Sequence, residues 1–190
     1  LLPLNRYEFD AAIMFSDILV IPESLGMQFE LIPSVGPVFK KSFSRSDSIT
    51  SLNFDENYFN NIYSGIKQIR QSLNNEKALI GFSGSPWTIA CYMVEGKPSK
   101  DYRNLRSLIY EDPNTYHKLM TKLTDSIITY VKGQINAGVD VIQIFDTNAS
   151  YLSKENFEKF SLPYLKRIIK EINDTKTPSI LFVKGGGYWL

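Results

Sequence analysis

The sequence predicts an α/β fold: an incomplete (β/α)8 barrel with about half of its parallel strands present. Three observations carry that prediction. Short apolar runs alternate with helical stretches in the order strand, helix, strand, helix, strand, helix, strand, the pattern of a parallel sheet with crossover helices. The runs are near-continuous in apolar residues rather than alternating, as in strands covered on both faces. Four such units in 190 residues make roughly half of a barrel that ordinarily takes about 250 residues or more. An open doubly wound sheet, which closes its own core, is the alternative.

The elements follow in order. Residues 11–16 (AAIMFS) read as the first strand. Residues 27–32 (MQFELI), followed by Pro33 and the Gly36-Pro37 pair, read as a hairpin or arm outside the alternation. Residues 42–51 (SFSRSDSITS) have the composition of a mobile loop. From 55 to 73, apolar side chains recur at Tyr58/Phe59, Ile62, Ile66, Ile69 and Leu73, one face of a helix. Residues 78–82 (ALIGF) are the second strand. A short helix over 86–95 follows at once, with Ser85 as N-cap and Pro86 in the first turn. The stripe Tyr116, Leu119/Met120, Leu123, Ile127, Tyr130/Val131 and Ile135 marks a helix over 114–135, and Gly138 punctuates its end. Residues 139–145 (VDVIQIF) are the third strand. From 153 to 172 a further stripe begins at a Ser153/Asn156 cap and meets Pro163, which kinks or splits the helix. Residues 179–183 (SILFV) are the fourth strand.

Composition narrows the chemistry. At 43% apolar and 22% charged residues the chain is that of a globular protein, not a disordered or collagen-like one. A net charge of +1 argues against nucleic acid or an anionic membrane as partner. The apolar stretch over 9–21 is broken by Asp10 and Asp17 and is too short to span a membrane. One cysteine (Cys91) and one histidine (His117) cannot form a disulfide framework or a Cys/His zinc site. The chain reads as cytoplasmic, with any chemistry resting on carboxylates, hydroxyls, amides or arginines. The segment Gly81-Phe-Ser-Gly84 matches no phosphate-loop pattern, and no helix follows Gly185–Gly187, which disfavours a nucleotide-binding module. The chain opens in mid-flow at Leu1 and stops at Leu190 straight after a strand. Residues 1–190 are therefore expected to be a single partial domain, inactive and poorly folded in isolation.

In parallel α/β folds, ligands meet the carboxyl ends of the strands. That rule selects Phe15, Ser16 and Asp17 after the first strand and residues 82–87 after the second, with Tyr92 on the following helix. It adds Phe145–Asn148 after the third strand and Lys184 and Gly185 after the fourth. Asp17 lies between IMFS and ILVI with no local partner, and a buried carboxylate is costly unless paired. It is a helix cap, one half of a salt bridge, or a carboxylate aimed at a ligand's hydrogen-bond donors. Asp146, before Thr-Asn-Ala-Ser, reads as turn chemistry. Thr147 is a cap or a ligand-binding hydroxyl, Tyr92 is by composition a core residue, His117 a solvated surface residue and Cys91 a small buried group. An enzyme would need Asp17, Thr147 and Tyr92 to converge; a scaffolding half-domain would need a large open apolar face.

At these residues the chain becomes similar to a known family. Residues 9–27 (FDAAIMFSDILVIPESLGM) resemble the second-strand segment of the uroporphyrinogen decarboxylases, and residues 80–96 (IGFSGSPWTIACYMVEG) resemble their next strand and loop. Residues 137–147 (AGVDVIQIFDT) and 160–164 (FSLPY) match further along, in the expected order. The resemblance implies a (β/α)8 barrel, a homodimer when complete, that uses neither metal nor organic cofactor. It implies removal of four acetate carboxyl groups from uroporphyrinogen III to give coproporphyrinogen III in porphyrin biosynthesis. Asp17 matches the family's catalytic aspartate, which accepts hydrogen bonds from the pyrrole N–H groups. Tyr92 and Thr147 fall on substrate-contact positions, and Phe82 and Phe145 on the apolar walls. The family's arginine-containing RQAGRY segment and its GHG segment have no counterpart here; Arg6, Lys40, Lys41 and Arg45 do not match the former by position. Corrinoid-linked methyltransferases, distant relatives that depend on zinc, are the competing reading, and a non-catalytic fragment the other.

Overall fold

The chain runs β1 (Ala11–Ile13), α1 (Val20–Ser24), β2 (Phe29–Ile32), β3 (Gly36–Phe39), α2 (Asn60–Ser72), β4 (Ala78–Gly84), α3 (Pro86–Glu95), α4 (Arg103–Glu111), α5 (Pro113–Ala137), β5 (Val141–Asp146), α6 (Lys154–Phe160), α7 (Leu162–Asn173) and β6 (Ser179–Val183). This computed structural model describes residues 4, 6–74 and 76–189. Leu1 and Leu190, on which the reading of cut ends rests, lie outside the described residues.

β1, β4, β5 and β6 form one parallel sheet in that order, and β2 and β3 form a separate antiparallel hairpin. Strand order follows chain order without reversal, as in a barrel and unlike a doubly wound sheet, which turns back at a switch point. The register aligns Ile13 with Ile80, Phe82 with Gln143, and Phe145 with Phe182. Leu79, Ile142 and Ile144 point to the helical layer and are fully buried. On the other face, among the described residues, the sheet is open: Ile13 is 49% and Phe15 80% exposed. The near-continuous apolar runs predict strands buried on both faces; among the described residues only the helix side is covered.

β1 is shorter than the run over 11–16 predicts. Its last ladder bond is Met14 N–H to the Ile80 carbonyl at 3.3 Å, after which the chain leaves the sheet and turns into α1. Phe82, two residues beyond Ile80, points its N–H and C=O to the same side and so loses its strand partner. The side-chain amide of Gln134, buried on α5, replaces it: Oε1 accepts from Phe82 N–H at 3.0 Å and Nε2 donates to Phe82 C=O at 2.9 Å. Gly81 leaves room for that amide, since a Cβ there would lie 2.5 Å from Gln134 Oε1. Gln134→Leu leaves both backbone groups buried without partners. It is expected to destabilise the complete polypeptide by about 2 kcal/mol in urea unfolding.

The helices form where the periodicity places them. Ser85 Oγ accepts from Thr88 N–H at 2.9 Å at the start of α3, and Ser153 Oγ accepts from Asn156 N–H at 3.2 Å at the start of α6. Gly138 ends α5 in the left-handed region (φ +110°). The stripe over 153–172 divides at Ser161, with Pro163 in the first turn of α7. Residues 42–51, read as a mobile loop, are closed by the Asp47 carboxylate, which accepts from Lys41 Nζ at 2.5 Å and from Ser44 N–H at 2.8 Å. α4 was not predicted. It buries Leu105, Leu108 and Ile109, but it starts from Tyr102 in the left-handed region (φ +50°), with no side-chain cap to mark it.

Candidate functional site at the strand carboxyl ends

The open face of the sheet carries a row of aromatic rings, one at or just beyond each parallel strand. Phe15 lies 6.1 Å from Phe82, Phe82 5.7 Å from Phe145, and Phe145 5.9 Å from Phe182, between ring centroids. The separations fall within the range of favourable aromatic pairs. Phe82 is buried and Phe145 half-buried, whereas Phe15 and Phe182 stand exposed. The row forms an apolar wall that a flat ring system could lie against.

Asp17 follows this wall at the end of β1. It is half-buried, and its Oδ1 accepts from Leu19 N–H at 2.8 Å. One oxygen thus serves the local turn ahead of α1, but Asp17 is not the helix cap that the sequence allowed: the N-cap of α1 is Leu19, with no side-chain cap. Among the described residues the other oxygen accepts no hydrogen bond. Tyr92, on α3, is half-buried rather than a full core residue. Burial pushes its hydroxyl pKa up, and the nearby Asp17 carboxylate adds to the shift. Tyr92 therefore stays a neutral donor close enough to Asp17 to feel its charge. Thr147 is exposed in the turn after β5, and its hydroxyl makes no hydrogen bond among the described residues.

Asp146 is not turn chemistry. It is the last residue of β5, faces the helical layer and is 0% exposed. Its carboxylate accepts from Ser85 Oγ at 2.7 Å, Thr88 Oγ1 at 2.9 Å and Ser161 Oγ at 2.8 Å. Burial pushes its pKa up, and the three hydroxyls only partly oppose that. Thr88 Oγ1 also accepts from Asn148 N–H at 3.1 Å, and Trp87 Nε1 donates to the Asn148 carbonyl at 3.0 Å. The knot ties the loop carrying Thr147 to α3 and to the α6–α7 junction.

The remaining candidates stand apart from the site. His117 is exposed, as expected, with Nδ1 2.5 Å from the Tyr164 hydroxyl. Cys91 is a buried free thiol whose pKa burial pushes up. Lys40, Lys41 and Arg45 are engaged with Glu30, Asp47 and Glu111. Among the described residues no three His, Cys, Asp or Glu side chains converge, and no helix is long and apolar enough to cross a membrane. Sequence reasoning missed Phe182 as part of the wall, and Tyr130, whose hydroxyl lies 2.6 Å from Ser16 Oγ. Phe182 was legible as an aromatic in a strand; Tyr130 sits in an ordinary core stripe.

Comparison with known proteins gives a consistent result. The family model described as uroporphyrinogen decarboxylase (URO-D) matches residues 1–190. Proteins named uroporphyrinogen decarboxylase are 41% identical in Dechloromonas aromatica, 43% in Pseudomonas syringae pv. tomato and 42% in Ruthia magnifica, each over 99% of this chain. The chain spans 55–56% of the length of these relatives. A solved structure, a methyltransferase from Methanosarcina mazei, superposes with a TM-score of 0.75 over 92% of this chain and 51% of its own, at 18% identity. At that identity the likeness establishes the shared fold alone.

Proposed function

Because the chain belongs to the uroporphyrinogen decarboxylase family, we propose that it forms the Asp17-bearing part of an enzyme that converts uroporphyrinogen III to coproporphyrinogen III. The observation that carries this reading is the free oxygen of Asp17, two residues after Phe15 of the aromatic row, in the loop beyond β1 where barrels place their ligands. Phe82 and Phe145 line the macrocycle, while Tyr92 and Thr147 offer hydroxyls to it. The complete enzyme is taken to be a cytoplasmic homodimer that needs no metal, organic cofactor, nucleic acid or membrane.

The chemistry explains why a carboxylate is needed there. Loss of carbon dioxide from an acetate on a pyrrole leaves an electron pair that an electron-rich ring resists. Protonating the ring first makes a cation that accepts the pair as the C–C bond breaks. A proton then adds to the exocyclic carbon and the ring proton leaves, so each acetate becomes a methyl group. A carboxylate facing the pyrrole nitrogens stabilises the cation that develops in the transition state and is absent from the ground state. The surrounding phenylalanines lower the local dielectric and strengthen that attraction.

The test is direct. The complete polypeptide, incubated anaerobically with uroporphyrinogen III, is expected to yield products with seven, six, five and finally four carboxyl groups. Recovery of the octacarboxylate unchanged would remove the reading.

A further inference from the structure

A carboxylate stabilises a developing cation only if its position is fixed before the reaction. The backbone at Asp17 has left the sheet: Met14 makes the last ladder bond of β1, and Phe15 is largely in solvent. Its local restraints are short-range, Leu19 N–H on Asp17 Oδ1 and Val20 N–H on the Asp17 carbonyl at 3.3 Å. Those bonds shape the turn, and on its C-terminal side Leu19, 2% exposed, packs into the core; neither holds the N-terminal side, where the chain leaves the sheet.

On the N-terminal side a polar anchor comes from 114 residues away. Ser16 Oγ lies 2.6 Å from the hydroxyl of Tyr130, within the ordinary range for a hydroxyl pair. Tyr130 is on α5, is 1% exposed and is braced from the far side. The Phe59 ring lies 4.6 Å from its own, the Tyr63 ring stacks at 6.2 Å, and the Tyr63 hydroxyl donates to the Tyr130 carbonyl at 3.3 Å. Gly133 makes that brace possible, since a Cβ there would lie 2.1 Å from Tyr63 Cζ. Burial raises the Tyr130 pKa to about 12, so the group stays a neutral hydroxyl.

We propose that Tyr130 is a positioning residue for the Asp17 carboxylate, acting through Ser16 to lock the turn that carries it to the helical layer. The inference rests on the role given to Asp17 above. It adds a requirement that the role alone does not contain: an oxygen buried in the helical layer controls turnover.

Tyr130→Phe removes that oxygen and keeps the ring. In the complete polypeptide, assayed anaerobically with uroporphyrinogen III, kcat is expected to fall about tenfold or more with KM within about threefold, because small displacements near reacting atoms carry large rate penalties. Ser16→Ala cuts the same bond from its other end, so one variant serves if the other folds poorly. The double variant is expected to be no slower than the slower single. A purely structural hydroxyl would lower Tm and leave kcat alone. Wild-type kcat in a folded single variant, or losses that multiply in the double, overturns the proposal. Asp17→Asn run in parallel separates the two levels. Wild-type turnover there removes the premise; its loss, with Tyr130→Phe and Ser16→Ala unaffected, removes only the positioning role.

Discussion

Asp17→Asn in the complete polypeptide is expected to lower kcat by about 10²–10³-fold while changing KM little. The substitution isolates charge from geometry. The Asn side-chain oxygen still accepts from Leu19 N–H, so the turn into α1 keeps the bond that Oδ1 makes at 2.8 Å. What disappears is the negative charge facing the cation formed in the transition state. Preorganised groups of this kind contribute about 2.7–4 kcal/mol when removed singly. A substrate that is not yet cationic gains little from the charge, so binding suffers less than turnover. Asp17→Ala removes the turn bond to Leu19 N–H as well, and is expected to lower stability by about 1 kcal/mol where Asn does not. Equal turnover in wild type and Asp17→Asn would refute the assignment, and thermal melts of both variants keep a folding defect from being mistaken for it.

What was legible in the sequence divides by the range of the interaction. The alternation of strands and helices, the cap of α3 at Ser85 and the division near Pro163 depend on neighbours a few residues apart, and each leaves a local pattern. Asp17 was visible for the same reason, as a lone carboxylate inside an apolar run. α4 escaped, although Leu105, Leu108 and Ile109 have helical spacing, because its N-cap residue, Tyr102, has no capping side chain. Its first turn is satisfied instead by Glu95, which accepts from Leu105 N–H from ten residues back. The end of β1 escaped because the polar partner of Phe82 is Gln134, 52 residues away. Asp146 misled more seriously. Asp-Thr-Asn-Ala-Ser has turn composition, while the hydroxyls that define the residue come from 61, 58 and 15 residues away. Ser16 and Tyr130 are the extreme case, two common residues given meaning only by the fold. The site was readable where chemistry is local, and its supporting shell was not.

That shell yields the other large effect. Asp146→Ala is expected to destabilise the complete polypeptide by about 3 kcal/mol, a large share of a typical domain's stability. Three buried hydroxyls lose their shared acceptor, each at a cost of about 1–3 kcal/mol unless it turns to another, and removal of a buried charge offsets part of the sum. Asp146→Asn is expected to lose far less, because its oxygen still accepts from Ser85 and Thr88 and its amide faces Ser161. The pH dependence has a fixed sign. Burial raises the folded-state pKa of Asp146 above its ordinary 3.8, so between those values the folded chain holds a proton that the unfolded chain has released. Its contribution is therefore full below about pH 3.8 and is lost as pH rises through the raised folded value, staying level above it. Asn cannot titrate, so wild-type minus Asp146→Asn stability, from urea unfolding at a series of pH values, should fall across that window and then flatten. A difference that is flat throughout, or that rises with pH, would mean that the three hydroxyls outweigh burial and hold Asp146 as a favourably solvated anion.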